Sequence, residues 1–357
     1  MMTTQQPDAV AAPPSSPEPL IQMIQGLQVT AILQAAVQLG VFDRIAEGTN
    51  TVVSIASSVE ADERGTRILL DALAALALLD TRDGAYTLAP LADAFLVSSR
   101  SSYLGGMLDL LAGSPAWASY ARLADAVRAG GTILEEHTDT PGFKYWETFA
   151  LSSPVIAVPA ARVLAEVLQP WAATHEHLEV LDIACGSGLY SLTLAAQHPG
   201  TRTTLLDWAN VLEQARRNVV AMGLVNRTSY LPGDVFEVPL GGPYDLIIAS
   251  HICHQFSKER CMELLRRFFD ALQPGGRVAI NDFMPASSRP ADEPFAVLFS
   301  IISLAWSREG EAYPLESYRR MVAEAGFVGV EVHPSAGVPS TFLIADRPGD
   351  RANGHQP

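Results

Sequence analysis

Hydrophobic positions recur every three or four residues through residues 20–40, and this spacing predicts a helix. Two further helices are predicted over residues 54–59 and 63–79, the second of them apolar on nearly every face. Residues 80–88 follow with an Asp-Gly pair at their centre, which is typical of the turn of a β-hairpin. Helices followed by a hairpin predict a winged-helix domain.

A second pattern begins near the middle of the chain, where short apolar runs alternate with helical segments. Strands are predicted over residues 179–182, 203–206, 227–231 and 245–250. Further helices are predicted over residues 101–131, 143–169 and 295–304. Strands separated by helices are typical of a parallel sheet with helices on both faces. The predicted fold class is therefore α/β, a Rossmann-like doubly wound sheet preceded by the mainly helical winged-helix domain.

A glycine-rich turn lies between the first of these strands and the next helix. Gly186 and Gly188 let backbone amides at the start of the helix approach a ligand closely. A dinucleotide site would need a third glycine at position 191, where this chain has Ser191 instead. Asp207 ends the second strand. Its distance along the chain from the glycine turn is about that at which a doubly wound sheet presents a carboxylate to ribose hydroxyls. A ribose without a pyrophosphate indicates S-adenosylmethionine.

Polar residues also follow the third and fourth strands. Gly233 and Asp234 come after the third strand together with Phe236, an acid and an aromatic suited to adenine. His251 and His254 come after the fourth. Ligands of an open α/β sheet bind beyond the carboxyl ends of its strands, so we expect these side chains to converge.

These pieces resemble the S-adenosylmethionine-dependent small-molecule O-methyltransferases of plants and bacteria, which carry an N-terminal winged-helix dimerisation domain. The resemblance runs from about residue 20 to residue 346 and is carried by residues 33–42, 182–188, Asp207, 233–236, His254, a turn at 273–277 and residues 325–327. It implies a homodimer formed through the N-terminal domain and S-adenosylmethionine as cofactor. The residues predicted to bind that cofactor are Asp182, Gly186, Gly188, Asp207, Trp208, Gly233, Asp234, Val235, Phe236 and Ser250.

His254 stands at the position of the family's catalytic histidine. A neutral imidazole with a pKa near ~6.5 is suited to take the proton of a hydroxyl that attacks a methyl sulfonium. The alternative, a core or helix-cap histidine, stays open. His251 is interpreted as a structural or a substrate-contacting residue. Neither an HExxH pattern nor a carboxylate cluster accompanies the two histidines, so no metal is predicted.

The chain departs from the family beside this histidine and again further on. Gln255 and Phe256 replace the usual Asp-Trp, and Ala312 falls at the position of a glutamate that orients the histidine in the family. Glu309 or Glu311 can take that place only after a shift of the alignment. A histidine without an orienting carboxylate is less basic, which leaves two alternatives open: C-methylation, and a relative that no longer transfers a methyl group.

Aromatic and sulfur-containing side chains are candidates for an acceptor cavity. The resemblance places substrate contacts at Met107, Phe143, Trp146, His251, Phe299 and Trp306. An ordinary core between domains explains the same apolar residues, and both interpretations stay open. The predicted acceptor is a small aromatic or conjugated secondary metabolite, methylated on a hydroxyl.

Composition limits the partners. A net charge of −15 and a pI near 4.9 disfavour nucleic acid, because binding to phosphates needs clustered Lys and Arg. The apolar third helix favours dimerisation over reading of a DNA groove, which leaves a winged-helix, metabolite-sensing regulator as a remote alternative. Three cysteines without metal spacing indicate reduced thiols. No run approaches the ~20 apolar residues of a membrane helix and no leader opens the chain, so a cytoplasmic protein without a membrane partner is expected.

The length of 357 residues predicts two domains. We expect a disordered tail over residues 1–19, the winged-helix dimerisation domain over 20–110, linking helices that contribute to the substrate cavity over 111–169, the cofactor-binding methyltransferase domain over 170–347, and a second disordered tail over 348–357.

Overall fold

A computed structural model describes residues 16–349 of the chain. The two predicted tails lie almost entirely outside the described residues, although Glu18 already begins the first helix. The described part of the chain divides into two compact units, which meet along the sequence between Gly105 and Gly106.

The first unit consists of helices and one hairpin. Its elements are α1 (Glu18–Gln38), α2 (Val41–Ala46), α3 (Val52–Ser58), α4 (Glu63–Ala75), β1 (Leu79–Arg82), β2 (Ala85–Leu88) and α5 (Pro90–Phe95). Asp83 and Gly84 have φ angles of 53° and 80°, the left-handed pair that joins strands in a two-residue turn. The predicted hairpin is confirmed.

Helix α4 differs from its prediction. It ends at Ala75, and Ala77 takes a left-handed φ of 56° that turns the chain toward β1. Leu70 and Leu73 are buried, whereas Ile68 is exposed. The helix is therefore shorter than predicted and buries one face within its own unit.

The second unit contains a seven-stranded sheet of order β5-β4-β3-β6-β7-β9-β8. Its strands are β3 (Leu178–Ile183), β4 (Thr201–Asp207), β5 (Thr228–Pro232), β6 (Tyr244–Ser250), β7 (Leu272–Asp282), β8 (Val328–Pro334) and β9 (Thr341–Asp346). The first five in this order are parallel, and β9 and β8 are antiparallel to their neighbours. The predicted Rossmann-like α/β fold is confirmed.

Ten helices of the second unit are described. They are α6 (Gly105–Ala112), α7 (Ser114–Ala121), α8 (Leu123–Ala129), α9 (Lys144–Ser152), α10 (Pro154–Ala172), α11 (Leu189–Gln197), α12 (Leu212–Ala221), α13 (Lys258–Ala271), α14 (Pro294–Trp306) and α15 (Leu315–Glu324). Helix α10 packs on one face of the sheet, and α13 and α15 on the other. The turn expected at residues 273–277 is instead a bulged start of β7, where the register to β6 shifts.

Strand alternation decides which polar residues share a face. On β7, Ala279 packs in the α10 core while Val278 and Ile280 pack in the α13 core. Successive side chains of a strand point to opposite faces, so Asn281 lies on the α10 face and Asp282 on the α13 face. By the same alternation Asp182 lies on the α10 face with Val180. Polar side chains thus reach the carboxyl edge of the sheet from both faces.

Two described helices are long and apolar enough to span a membrane by length and composition alone, with mean hydropathy 1.4 for α1 and 1.2 for α10. The expectation that no run approaches this length is therefore not met. Helix α10 buries a row of alanines and leucines against the sheet, as a core helix does. Helix α1 buries Ala36 but leaves most of its apolar side chains exposed.

Candidate active site

The glycine-rich turn that follows β3 is built for close approach by a ligand. Ala184, Gly186 and Gly188 have φ angles of 49°, 54° and 72°, so three left-handed residues turn the chain into α11. A Cβ added to Gly186 would meet no atom within 4 Å. Gly186 therefore faces open space at the carboxyl edge of the sheet.

Asp182 and Asp207 bracket this turn. Asp182 accepts hydrogen bonds from the Ser191 hydroxyl at 2.6 Å and the Ser191 amide at 3.3 Å, while its Oδ1 has no partner. Asp207 accepts from the Gly186 amide at 2.8 Å and the Trp208 amide at 2.7 Å. Burial raises the pKa of Asp182 to about 7 and that of Asp207 to about 6, although these hydrogen bonds oppose the rise. Ser191, which occupies the position of the third glycine of a dinucleotide site, thus holds the Asp182 carboxylate in place.

The third acidic site lies after β5. Gly233 has a φ of 143°, and a Cβ there would meet Val238 at 2.4 Å. Asp234 follows and accepts the Phe236 amide at 2.8 Å, a local turn that holds the carboxylate at the sheet edge. The Val235 side chain is buried in the sheet core.

The two aromatic candidates for adenine stacking have different surroundings. Phe236 packs edge-on against Phe256 at 5.0 Å, and the Arg260 guanidinium covers its ring at 4.0 Å. Phe236 is half-buried between these contacts, and its role beside the adenine stays a prediction. Trp208 is half-buried beside Asp207.

These residues fit an adenosyl ligand. Asp207 and Asp234 stand at the ends of neighbouring parallel strands, next to the open space at Gly186. The Ser250 hydroxyl, at the end of β6, is buried beside the Tyr190 hydroxyl. Carboxylates and a hydroxyl at one sheet edge, next to a turn that leaves open space, are the groups that a ribose, an adenine and an amino acid moiety require.

His254 lies in a short 3-10 turn after β6 and is held by Asp282. Its Nδ1 is 2.6 Å from Asp282 Oδ1, and its backbone amide donates to Oδ2 at 3.2 Å. Burial acts to raise the pKa of Asp282, but the imidazole of His254 and hydrogen bonds bring it to about 2. Asp282 is therefore an ionised acceptor, so His254 donates its Nδ1 proton to it, and Nε2 is the ring nitrogen that Asp282 does not engage.

Asp282 is thus the carboxylate that contacts His254, in place of the glutamate of the family. Glu309 and Glu311 are exposed, whereas Ala312 is buried against Phe283 and Phe299. Asp282 was missed in the sequence, although it ends an apolar run as Asp207 does. The same rule of polar strand ends would have found it.

A second polar group adjoins this pair on the α10 face. Asn281 is fully buried, and its Nδ2 lies 3.0 Å from the Tyr190 hydroxyl and 3.2 Å from His251 Nε2. His251 takes a left-handed φ of 54°, and its amide donates to the Asn281 carbonyl at 2.7 Å. His251 Nδ1 and Asn281 Oδ1 are buried without partners.

The two histidines and Asp282 offer ligand atoms within 4.8 Å of one another, the spacing of a metal site. The 2.6 Å between His254 and Asp282 is a hydrogen bond, shorter than the roughly 3 Å between two ligands that are each ~2.1 Å from one ion. The absence of a metal stays a prediction.

Aromatic rings enclose the His254 side. Phe299 of α14 meets the His254 ring edge-on at 4.8 Å, and Phe283 lies 4.1 Å from Phe299. The predicted substrate contact Phe299 is thus beside the histidine. His251 lies 6.2 Å from His254, ring to ring, and 4.9 Å from Phe283.

The other candidates form a separate aromatic group. Tyr145 stacks with Phe143 at 5.7 Å and lies 5.1 Å from both Trp146 and Trp306. The Trp146 indole donates to the Thr138 carbonyl at 3.0 Å. These rings pack on each other rather than on His254. Met107 is half-buried in α6 and has no described contact with the histidine.

Comparison with known families gives two matches. An O-methyltransferase domain model matches residues 120–328, and an O-methyltransferase dimerisation domain model matches residues 21–98. Acetylserotonin O-methyltransferase of Mus musculus molossinus is 30% identical over 354 residues, which cover 92% of this chain and 88% of that protein. The 3-hydroxy-5-methyl-1-naphthoate 3-O-methyltransferase of Streptomyces sahachiroi is 29% identical over 327 residues, covering 87% and 89%.

The fold also matches solved structures. Human N-acetylserotonin methyltransferase in complex with S-adenosylmethionine superposes with a TM-score of 0.79 over 95% of this chain and 99% of that chain, at 24% identity. That identity supports a common fold.

Proposed function

The chain belongs to the S-adenosylmethionine-dependent O-methyltransferase family, and on that premise we propose that it methylates a hydroxyl of a small aromatic or conjugated metabolite with His254 as general base. The observation that carries the proposal is the 2.6 Å pairing of His254 with ionised Asp282. This pairing supports O-methylation, because it supplies the carboxylate whose apparent absence had left C-methylation open as an alternative.

The cofactor residues are assigned from the geometry at the sheet edge. Asp207 accepts the ribose hydroxyls, and Asp234 accepts the adenine amino group. Gly186 presents its open side to the ligand, and Asp182 and Ser250 support the amino acid end. Bound there, S-adenosylmethionine supplies an electrophilic methyl group. Trp208 and Phe236 are proposed to lie near the adenine, and Val235 to contribute through its backbone.

The chemistry of the chain's own residues is a single proton transfer. Asp282 keeps the Nδ1 proton of His254 in place, so Nε2 accepts the proton of the acceptor hydroxyl as its oxygen becomes nucleophilic. The imidazolium that forms lies against a buried carboxylate, which stabilises it. Phe283 and Phe299 exclude water from this proton transfer.

The acceptor is proposed to be flat and conjugated. Phe299 and Phe283 present ring surfaces beside His254, which suit an aromatic molecule. The naphthoate named for the Streptomyces relative is an acceptor of this kind. Met107, Phe143, Trp146 and Trp306 are proposed for an outer wall of the cavity.

The N-terminal unit is proposed to form a homodimer. Met23, Ile24 and Leu27 of α1 are exposed large apolar side chains within the region matched by the dimerisation model. A second copy of this surface is a suitable cover for them. A cytoplasmic location, with neither nucleic acid nor membrane as partner, is proposed with it.

The test is transfer of a labelled methyl group. Purified protein is incubated with S-adenosylmethionine carrying a labelled methyl and with a panel of phenols, and products are analysed by mass spectrometry and NMR. Label on an oxygen of a phenol is expected. Label on carbon would refute the choice of acceptor atom, and cofactor binding without any labelled product would refute methyl transfer to this class of acceptor.

A further inference from the structure

The polar group formed by Tyr190, His251 and Asn281 is not used by the proton transfer described above. Its atoms come from α11, the end of β6 and the end of β7. Asn281 Nδ2 lies within hydrogen-bond distance of both the Tyr190 hydroxyl and His251 Nε2, at 3.0 and 3.2 Å. One buried amide therefore holds both partners in place.

The position of the His251 proton follows from these contacts. An amide nitrogen only donates, so His251 Nε2 accepts from Asn281. Burial lowers the pKa of His251 to about 4, so the ring is neutral near pH 7. A neutral ring with an accepting Nε2 carries its proton on Nδ1, and Nδ1 is buried without a hydrogen-bond partner. An unpaired buried donor costs free energy unless a ligand or water accepts from it.

The backbone of His251 is also strained. Its φ of 54° lies in the left-handed region, which non-glycine residues rarely occupy. The amide of His251 donates to the Asn281 carbonyl at 2.7 Å and fixes this conformation. Strain of this kind persists where surrounding contacts over-determine it, and it is concentrated at functional sites.

The unpaired donor is close to the base. The His251 and His254 rings lie 6.2 Å apart, and both rings contact Phe283. Two imidazoles at this distance can face two neighbouring oxygens of one flat molecule, the first as a donor through Nδ1 and the second as an acceptor through Nε2.

We propose that the Nδ1 proton of His251 is donated to a carbonyl oxygen of the methyl acceptor, and that the protein selects hydroxyl compounds with a carbonyl ortho or peri to the reacting hydroxyl. The proposal rests on the proposed function and adds a substrate class to it. In free molecules of this class the hydroxyl proton is held by the neighbouring carbonyl. Donation from His251 occupies that carbonyl and leaves the hydroxyl proton to His254.

The test uses matched acceptors that differ by one carbonyl: ortho-acetylphenol against ortho-ethylphenol, and peri-hydroxyanthraquinone against the corresponding hydroxyanthracene. Two variants accompany the wild type. His251→Phe keeps a ring but removes the donor. His251→Asn keeps an N–H near the position of Nδ1 and tolerates the left-handed backbone.

The readout is the ratio of kcat/KM for the carbonyl-bearing member over its partner. The wild type is expected to favour the carbonyl-bearing member, and His251→Phe to lower the ratio by about tenfold, as for one lost neutral hydrogen bond. His251→Asn is expected to retain most of the preference. Equal ratios in the wild type and His251→Phe would overturn the proposal and indicate a bound water as the partner of Nδ1. Melting temperature and cofactor affinity of each variant check its folding.

Binding measurements distinguish failure of the proposed methyl transfer from failure of the proposed role of His251. If no acceptor is labelled, calorimetry with the same pairs is performed on protein loaded with S-adenosylhomocysteine. Affinity for the carbonyl-bearing member that falls about tenfold in His251→Phe would still support the role of His251 while refuting the reaction. Equal affinities, or no binding of either carbonyl-bearing compound, would overturn it.

Discussion

The two halves of the sheet edge satisfy their polar groups in different ways. At the β3–β4–β5 half, Asp207 and Asp234 accept from amides of the turns that they themselves begin or adjoin. At the β6–β7 half, His254 depends on Asp282, which is 28 residues away, and Asn281 on Tyr190, which is 91 residues away. Carboxylates of the first half are thus held by backbone amides, one of them 21 residues from Asp207, whereas the second half joins side chain to side chain across β6 and β7.

The two halves also differ in the pKa values of their carboxylates. Carboxylates of the first half are held by neutral amides and keep raised pKa values of about 6 and 7 at Asp207 and Asp182. Asp282 of the second half faces imidazoles and has a pKa of about 2. The first half is therefore suited to bind hydroxyl groups, and the second to hold a charged base.

The largest expected effect separates the two halves directly. His254→Ala should lower kcat by a factor of roughly 10² to 10⁴, the usual contribution of a general base. Its affinity for S-adenosylmethionine should stay within about twofold, because the His254 side chain is held by Asp282 and not by the groups proposed to bind the cofactor. Turnover under saturating cofactor and calorimetric titration check the two values. Equal losses in rate and affinity would contradict a role confined to the acceptor.

The next effect concerns the carboxylate that holds the base. Asp282→Asn should lower kcat about 10- to 100-fold, since an amide no longer enforces the Nδ1 proton or stabilises the imidazolium. Tyr318→Phe is a matched control, because it removes a 2.8 Å hydrogen bond to Asp282 without touching His254. Glu311→Gln controls for the alternative carboxylate and should leave kcat unchanged. A larger loss of kcat in Glu311→Gln than in Asp282→Asn would contradict this account, because it would show that Glu311 and not Asp282 is the partner of His254.

A pH effect of about tenfold is expected on the cofactor side. The pKa of Asp207 is about 6, so its ionised, hydroxyl-accepting form predominates above pH 6 and falls to roughly a tenth at pH 5. Affinity for S-adenosylmethionine should therefore be weaker at pH 5 than at pH 7.5. Asp207→Asn, which cannot ionise, should bind weakly and show a smaller change between these pH values, because only Asp182, with a pKa of about 7, still titrates there. The same pH dependence in that variant would exclude Asp207 as its source.

The smallest expected effect is that of chelation. Activity after exhaustive dialysis against EDTA should match that of untreated protein, because the His254 and Asp282 atoms are joined by a hydrogen bond. Loss of activity that Zn²⁺ or Mg²⁺ restores would assign a metal to His251, His254 and Asp282.

How much the sequence could predict follows the same division. The glycine turn, Asp207 and Asp234 were found because glycines in a turn and acids at the ends of apolar strands can be read from residue type and spacing, even though Asp207 accepts from Gly186, which is 21 residues away. Asp282 and Asn281 were missed because β7 was not among the predicted strands, and the register that pairs Ser250 with Asn281 shows which groups they meet. Strand alternation then sends the two neighbours to opposite faces.

Aromatic residues were the least predictable. Phe236 looked suited to adenine, and the sequence did not show that Arg260 and Phe256 pack against it in the folded unit. Phe143 and Trp306 pack in one aromatic group and Phe299 in another, although sequence spacing treats them alike. Packing partners of rings depend on tertiary contacts that periodicity does not contain.

The most direct test of the account is a double-mutant cycle on the two residues that define the acceptor side. Single-turnover methylation rates of the wild type, His254→Ala, Asp282→Asn and the double variant are measured with an acceptor found in the labelled-methyl screen. If Asp282 acts through His254, the double variant should be no slower than His254→Ala alone. Losses that multiply in the double variant would contradict this account, because they would show that the carboxylate and the histidine act independently.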